Sequence, residues 1–107
     1  MAVSEKFEPI RRGLLEFLTL RIIAVREVYA ADILKALSDT EFATQEGTLY
    51  PLLSKLRREG FVEYSWVESE SGPPRKYYRL TPKGRGHLEE TSDYWHKINQ
   101  TIKKLGK

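Results

Sequence analysis

From Ile10 to Val25 the apolar positions Ile10, Leu14, Leu15, Phe17, Leu18, Leu20, Ile22, Ile23 and Val25 cover more than one helical stripe, which predicts a first helix buried on two sides. Tyr29 to Leu37 reads as a second, shorter helix with Ile33, Leu34 and Leu37 inward, and Ser38 to Ala43 as its connection onward. Between Thr44 and Gly60, Leu49, Leu52, Leu53 and Leu56 recur at helical spacing, while Thr48, Ser54, Lys55, Arg57 and Arg58 fall largely on the other side. The period then shortens. Val62 to Ser69 and Arg75 to Leu80 are rich in aromatic and β-branched residues and predict two strands, joined by a turn over Glu70 to Pro74.

The ends of these elements carry their own signals. Thr44 is a candidate N-cap for the third helix, but Pro51 then lies in its second turn and removes a backbone bond to Gly47, so the helix either kinks there or starts nearer Gly47. Gly60 is a stop, with Arg57 and Arg58 suited to the negative end of the helix dipole. Thr81 and Pro82 form an N-cap and first-turn pair for a last helix, despite Gly84 and Gly86 in its opening. Extended to Leu105, that helix spans roughly 36 Å. Within it Leu88, Trp95 and Ile102 stand seven apart, and Thr91, Ile98 and Leu105 interleave at the second core position of the same heptad. That seam, together with the wide apolar surface of the first helix, predicts a homodimer with Leu14, Leu18, Leu88, Trp95, Ile98, Ile102 and Leu105 at its interface.

Three helices followed by a hairpin is the winged-helix order. The expected fold is therefore α+β and mainly helical: an N-terminal arm over residues 1–9, a winged helix-turn-helix domain over 10–81, and a C-terminal dimerisation helix over 82–107.

Composition adds little until it is mapped onto these elements. The 107 residues suit one domain, and 18 basic against 15 acidic residues leave a net charge of only +3. Residues 45–86, however, carry eight Lys or Arg against five Glu, whereas residues 31–44 carry Lys35 against Asp32, Asp39 and Glu41. The basic surplus thus coincides with the third helix and the hairpin, where phosphate contacts need it. With no cysteine, disulfides, zinc fingers and thiol catalysis are excluded. His87 and His96 have neither metal-ligand spacing nor a nucleophile partner, so no metal, cofactor or catalytic residue is expected, and an enzyme is not. The longest apolar stretch is broken by Glu16, Thr19 and Arg21, with no signal-peptide layout before it, which points to the cytoplasm rather than a membrane.

Taken singly, Lys55, Arg57, Arg58, Arg75, Lys76 and Arg79 read as solvated surface charges. Grouped on one helix and its neighbouring wing they become phosphate contacts for double-stranded DNA, with Thr48 and Ser54 placed to reach base edges. Strand alternation puts Arg75, Tyr77 and Arg79 on one face and Lys76 and Tyr78 on the other, so some of these are structural. Tyr50 is either a packing residue or a phosphate-contacting hydroxyl. Trp66 reads as a hairpin or core aromatic. Trp95, in the middle of a two-fold seam, either fills the interface or flanks a slot between two indoles, with Asn99 one turn later able to supply a polar contact.

Particular residue strings carry a family resemblance: Gly13-Leu14-Leu15-Glu16-Phe17-Leu18; Glu46-Gly47-Thr48-Leu49-Tyr50-Pro51-Leu52-Leu53 with Leu56 and Glu59-Gly60; and Gly72-Pro73-Pro74-Arg75-Lys76-Tyr77-Tyr78-Arg79-Leu80-Thr81 with Gly84-Arg85. Over Gly13 to Leu105 the chain resembles the PadR family of transcriptional regulators, specifically its short members with a single C-terminal helix. The resemblance implies a winged helix-turn-helix repressor that dimerises through its first and last helices and senses small aromatic molecules or related effectors. It assigns Tyr50 to DNA and tips Trp95 towards the slot. Arg26-Glu27 and Ala30-Ala31 depart from the family's usual Gly-Pro and Gly-Tyr around the start of the second helix. The competing readings are a winged-helix module that binds an acidic protein partner, and a DNA-binding dimer with no effector.

Overall fold

The computed structural model of the chain describes residues 5–106. Its elements run α1 (Glu8–Val25), α2 (Ala30–Leu37), α3 (Glu46–Arg58), β1 (Val62–Ser69), β2 (Gly72–Leu80) and α4 (Pro82–Leu105). Pro9 stands in the first turn of α1, where its missing N–H is no loss, so the helix starts two residues before the expected boundary and takes Glu8 and Pro9 from the proposed arm. The rest of that arm includes residues 1–4, which lie outside the described residues.

The core lies where α1, α2 and α3 meet the root of the hairpin. Leu15, Leu20 and Ile23 of α1, Ile33 and Leu37 of α2, and Leu49, Leu53 and Leu56 of α3 close on Val62, Tyr78 and Leu80. In the single chain α1 is buried along one side only. Leu14, Leu18 and Ile22 are half-buried, and Ile10 and Val25 are exposed. Thr19 is fully buried on the inner side, and its hydroxyl finds no hydrogen-bond partner among the described residues. A buried, unpaired hydroxyl is a net cost, so Thr19→Val, which keeps the shape, is expected to raise the unfolding free energy by about 1 kcal/mol, measured by urea denaturation.

The α2–α3 connection is held by Thr40, whose hydroxyl donates to the Leu37 carbonyl at 2.8 Å and accepts from the Phe42 N–H at 2.9 Å. Arg11 of α1 donates to the Ala43 carbonyl at 2.9 Å, tying the connection to α1. The cap of α3 is Gln45, not Thr44, and Pro51 is accommodated six residues into the helix, where the Gly47 carbonyl that it leaves unbonded belongs to an exposed residue. Gly60 stops the helix as expected. With φ of 83° it lets its own N–H reach the Arg57 carbonyl and the Phe61 N–H reach the Leu56 carbonyl, both at 3.0 Å, the paired bonds of a Schellman cap.

The hairpin is antiparallel, with Val62 opposite Leu80, Tyr64 opposite Tyr78, Trp66 opposite Lys76 and Val67 opposite Arg75. Its turn is shorter than expected: Glu70 and Ser71 alone make it, and Pro73 and Pro74 lie in β2 beside a register shift between Val67 and Ser69. Proline is tolerated there because the bulge leaves its position outside the hydrogen-bonded ladder. At its other end β2 gains a second neighbour, since Val28 and Tyr78 exchange backbone bonds at 2.8 and 3.2 Å. This bridge pins the segment between α1 and α2 to the hairpin and leaves Arg26 and Glu27 exposed beside it.

Thr81 caps α4, accepting from the Gly84 N–H at 2.9 Å and donating to the Gly60 carbonyl at 2.5 Å. The first turn of α4 thereby lies directly on the backbone at Phe61. A Cβ at Gly84 would stand 2.0 Å from the Phe61 carbonyl oxygen, whereas one at Gly86 would meet nothing within 4 Å. Gly84→Ala is therefore expected to destabilise the fold by about 2–3 kcal/mol. Gly86→Ala serves as the control and should be neutral or stabilising by up to ~1 kcal/mol in the same denaturation assay.

Candidate nucleic-acid interface

Because Leu49, Leu53 and Leu56 point α3 into the core, its opposite side faces solvent. The outermost stripe is Gly47, Pro51, Ser54 and Arg58, all exposed. One flank faces the hairpin and holds Tyr50 and Arg57. The guanidinium of Arg57 lies 4.9 Å from the centre of the Tyr64 ring, which fixes a cation between helix and wing. The other flank faces α1 and holds Thr48 and Lys55, which line a groove with Arg12 and Glu16.

The expected phosphate contacts therefore divide. Arg57 and Arg58 are exposed at the C-terminal end of α3, and Arg75 is exposed on β2 with Lys76 beside it, half-buried. Lys55 is committed elsewhere: its ammonium contacts the Glu16 carboxylate at 2.5 Å and lies 3.9 Å from Glu59. Donating this hydrogen bond to Glu16 raises the Lys55 ammonium's pKa above the usual lysine range. Lys55 is thus a brace between α3 and α1, with much of its charge already answered. Arg79 is likewise occupied, reaching Glu63 at 3.1 Å and the Ser65 hydroxyl at 2.6 Å.

Alternation along β2 sorts its aromatics. Tyr78 faces the core, where burial pushes its phenol above the usual range. Tyr77 lies against Tyr29 on the other face, with ring centres 3.9 Å apart, and Arg75 stands 5.0 Å from the Tyr29 ring. Trp66 is not a core residue: 62% of it is exposed. It shares a face with Tyr64 and Lys76, meeting Tyr64 edge-on at 6.0 Å, and the Lys76 ammonium lies 5.4 Å from its ring. Trp66 and Lys76, with Tyr29, Arg75 and Tyr78, line a groove of about 410 Å³ between the start of α2, Tyr50 of α3 and the hairpin. Neither Tyr29 nor Trp66 stood out as a site residue in the sequence, because their place in this groove depends on the strand register and on the bridge at Val28.

On α4, Leu88 packs against the chain's own core, as does Leu18 of α1. Trp95 is half-buried, its ring 6.4 Å from that of Phe17 in a stacked arrangement. Ile98 is half-buried and Asn99 exposed, and Ile102 and Leu105 are 62% and 77% exposed. Among the described residues there is no group of three or more acidic or histidine side chains placed to hold a metal ion, and no helix is long and apolar enough to cross a membrane.

The fold has counterparts among known proteins. A PadR-like transcription factor from Bacteroides fragilis superposes with a TM-score of 0.83 at 39% identity, over 94% of this chain and 98% of that one. A PadR family transcriptional regulator from Eggerthella lenta also reaches 0.83, at 34% identity over 97% and 91% of the two chains. A transcriptional regulator of Mycobacterium tuberculosis is 37% identical over 67 residues, 63% of this chain and 62% of its own. The sequence profile of the transcriptional regulator PadR-like family matches residues 19–90, from the middle of α1 through the helix-wing unit into α4. This chain is therefore a member of the PadR-like family of transcriptional regulators, with the family's winged-helix fold and no enzymatic role.

Proposed function

We propose that this regulator is a homodimeric repressor that grips double-stranded operator DNA in the cytoplasm with the outer face of α3 and the Arg75–Lys76 part of the wing. The observation that carries this reading is the grouping of Arg57, Arg58, Arg75 and Lys76 around the solvent-facing side of α3. Tyr50, Ser54 and Thr48 supply uncharged donors on the same helix. Repression then follows from occupying the operator.

Dimerisation accounts for the far end of α4. The chain measures 57 Å along its longest axis, and its radius of gyration is 15.5 Å against roughly 13 Å for a compact domain of this length. Ile102 and Leu105 are carried on the exposed last turns of that helix. A second α4 packed along the Trp95, Ile98, Ile102, Leu105 side, with the outer side of α1, covers them and sets two α3 helices about one DNA turn apart, roughly 34 Å. Operator binding is tested by titrating the regulator's own upstream DNA over a range of salt. Sequence-selective, salt-sensitive binding is expected, and binding that ignores both sequence and salt sinks the reading.

The effector in this reading is a planar aromatic molecule lodged between the two copies of Trp95, with Asn99 near its edge. It acts by preferring one arrangement of the wings over another, and it shifts operator affinity by no more than that preference. Such a ligand quenches indole emission. Trp95→Ala is expected to abolish the quenching and blunt the effector response while sparing operator affinity, because Trp95 lies on α4, away from α3 and the wing. If planar aromatics leave the emission of the dimer unchanged, the reading contracts to a DNA-binding dimer without an effector.

A further inference from the structure

The tip of this wing has the wrong charge for a polyanion. From Val67 to Pro74 the chain carries Glu68 and Glu70 and no Lys or Arg. Cations reappear only at Arg75 and Lys76, level with Val67 and Trp66 on the partner strand. At that rung a tryptophan stands 62% exposed although its neighbours on the same face, Tyr64 and Tyr78, are half-buried and buried. The Lys76 ammonium is held over both aromatic rings, 4.6 Å from Tyr64 and 5.4 Å from Trp66, at the edge of the groove that Tyr50 closes on the α3 side. An apolar plate and a cation side by side match one unit of a nucleic-acid backbone, whose deoxyribose is apolar and whose phosphate is charged.

We propose that the groove between Tyr50 and the Trp66–Lys76 rung is the seat of one sugar-phosphate unit of the DNA backbone, with the Trp66 indole packed on the deoxyribose, Lys76 and the Tyr50 hydroxyl on the phosphate, and the acidic wing tip held off the duplex. This rests on the DNA-binding reading above and adds to it a contact that carries no charge. Backbone contacts do not read sequence, so a duplex of arbitrary sequence at low salt is a sufficient probe.

The test follows Trp66 in the intact chain. Titration with the duplex is expected to quench the tryptophan emission and reduce its access to acrylamide, and Trp66→Phe should lose most of that change. Trp66→Ala should weaken binding about tenfold with the salt slope unchanged, since the substitution removes apolar packing and no charge. Lys76→Ala should instead reduce the magnitude of the slope by about 0.9 for each phosphate it no longer neutralises. If the duplex binds with an ordinary salt slope while Trp66 emission, acrylamide access and Trp66→Ala affinity all stay as they were, the seat is overturned and the DNA-binding reading stands. If the intact chain binds no duplex at low salt, both fall.

Discussion

An Arg57→Ala, Arg58→Ala, Lys76→Ala triple variant is expected to lose roughly two orders of magnitude in operator affinity for each half-site engaged at physiological salt, with the log-affinity versus log-salt slope shallower by about 2.7 per half-site. Arg57 and Arg58 are exposed and Lys76 is half-buried, and none belongs to the core, so urea denaturation of the triple variant separates any change in stability from the loss of binding. Lys55→Ala is the informative contrast. Its ammonium is paired with Glu16, so its removal should change the slope less than removal of Arg58 does. An unchanged affinity and slope in the triple variant would reduce these residues to solvated charges.

Ile102→Asp with Leu105→Asp should convert a dimer to a monomer in sedimentation at micromolar concentration, and operator affinity should fall by about 10²–10⁴, the advantage that a second linked site confers. Both residues are largely exposed in the protomer, so the change leaves the core untouched and a folded monomer is the expected product. Ile98 is half-buried, and a charge there would confuse loss of the interface with loss of the fold. A wild-type chain that sediments as a monomer at the same concentration removes the dimer, and the interfacial effector site goes with it.

Periodicity and end signals in the sequence alone determined the element order, the inward leucines of α3, the stop at Gly60 and the Thr81 cap, because each depends on residues within a few positions of one another. The clustering of basic residues on α3 and the wing was legible for the same reason. Tertiary structure decided what depends on distant partners. Gly84 is a cost to a helix taken alone, and only the backbone of Phe61 pressed against it makes glycine necessary there. Lys55 resembles its neighbours Arg57 and Arg58 in sequence, but a helix side chain's role depends on what faces its flank, and α1 places Glu16 there. Trp66 suits a core strand by composition. A two-stranded ribbon has too little to cover its outer rungs, so the register leaves that indole in solvent beside Lys76, at the mouth of a groove assembled from three elements far apart in the chain.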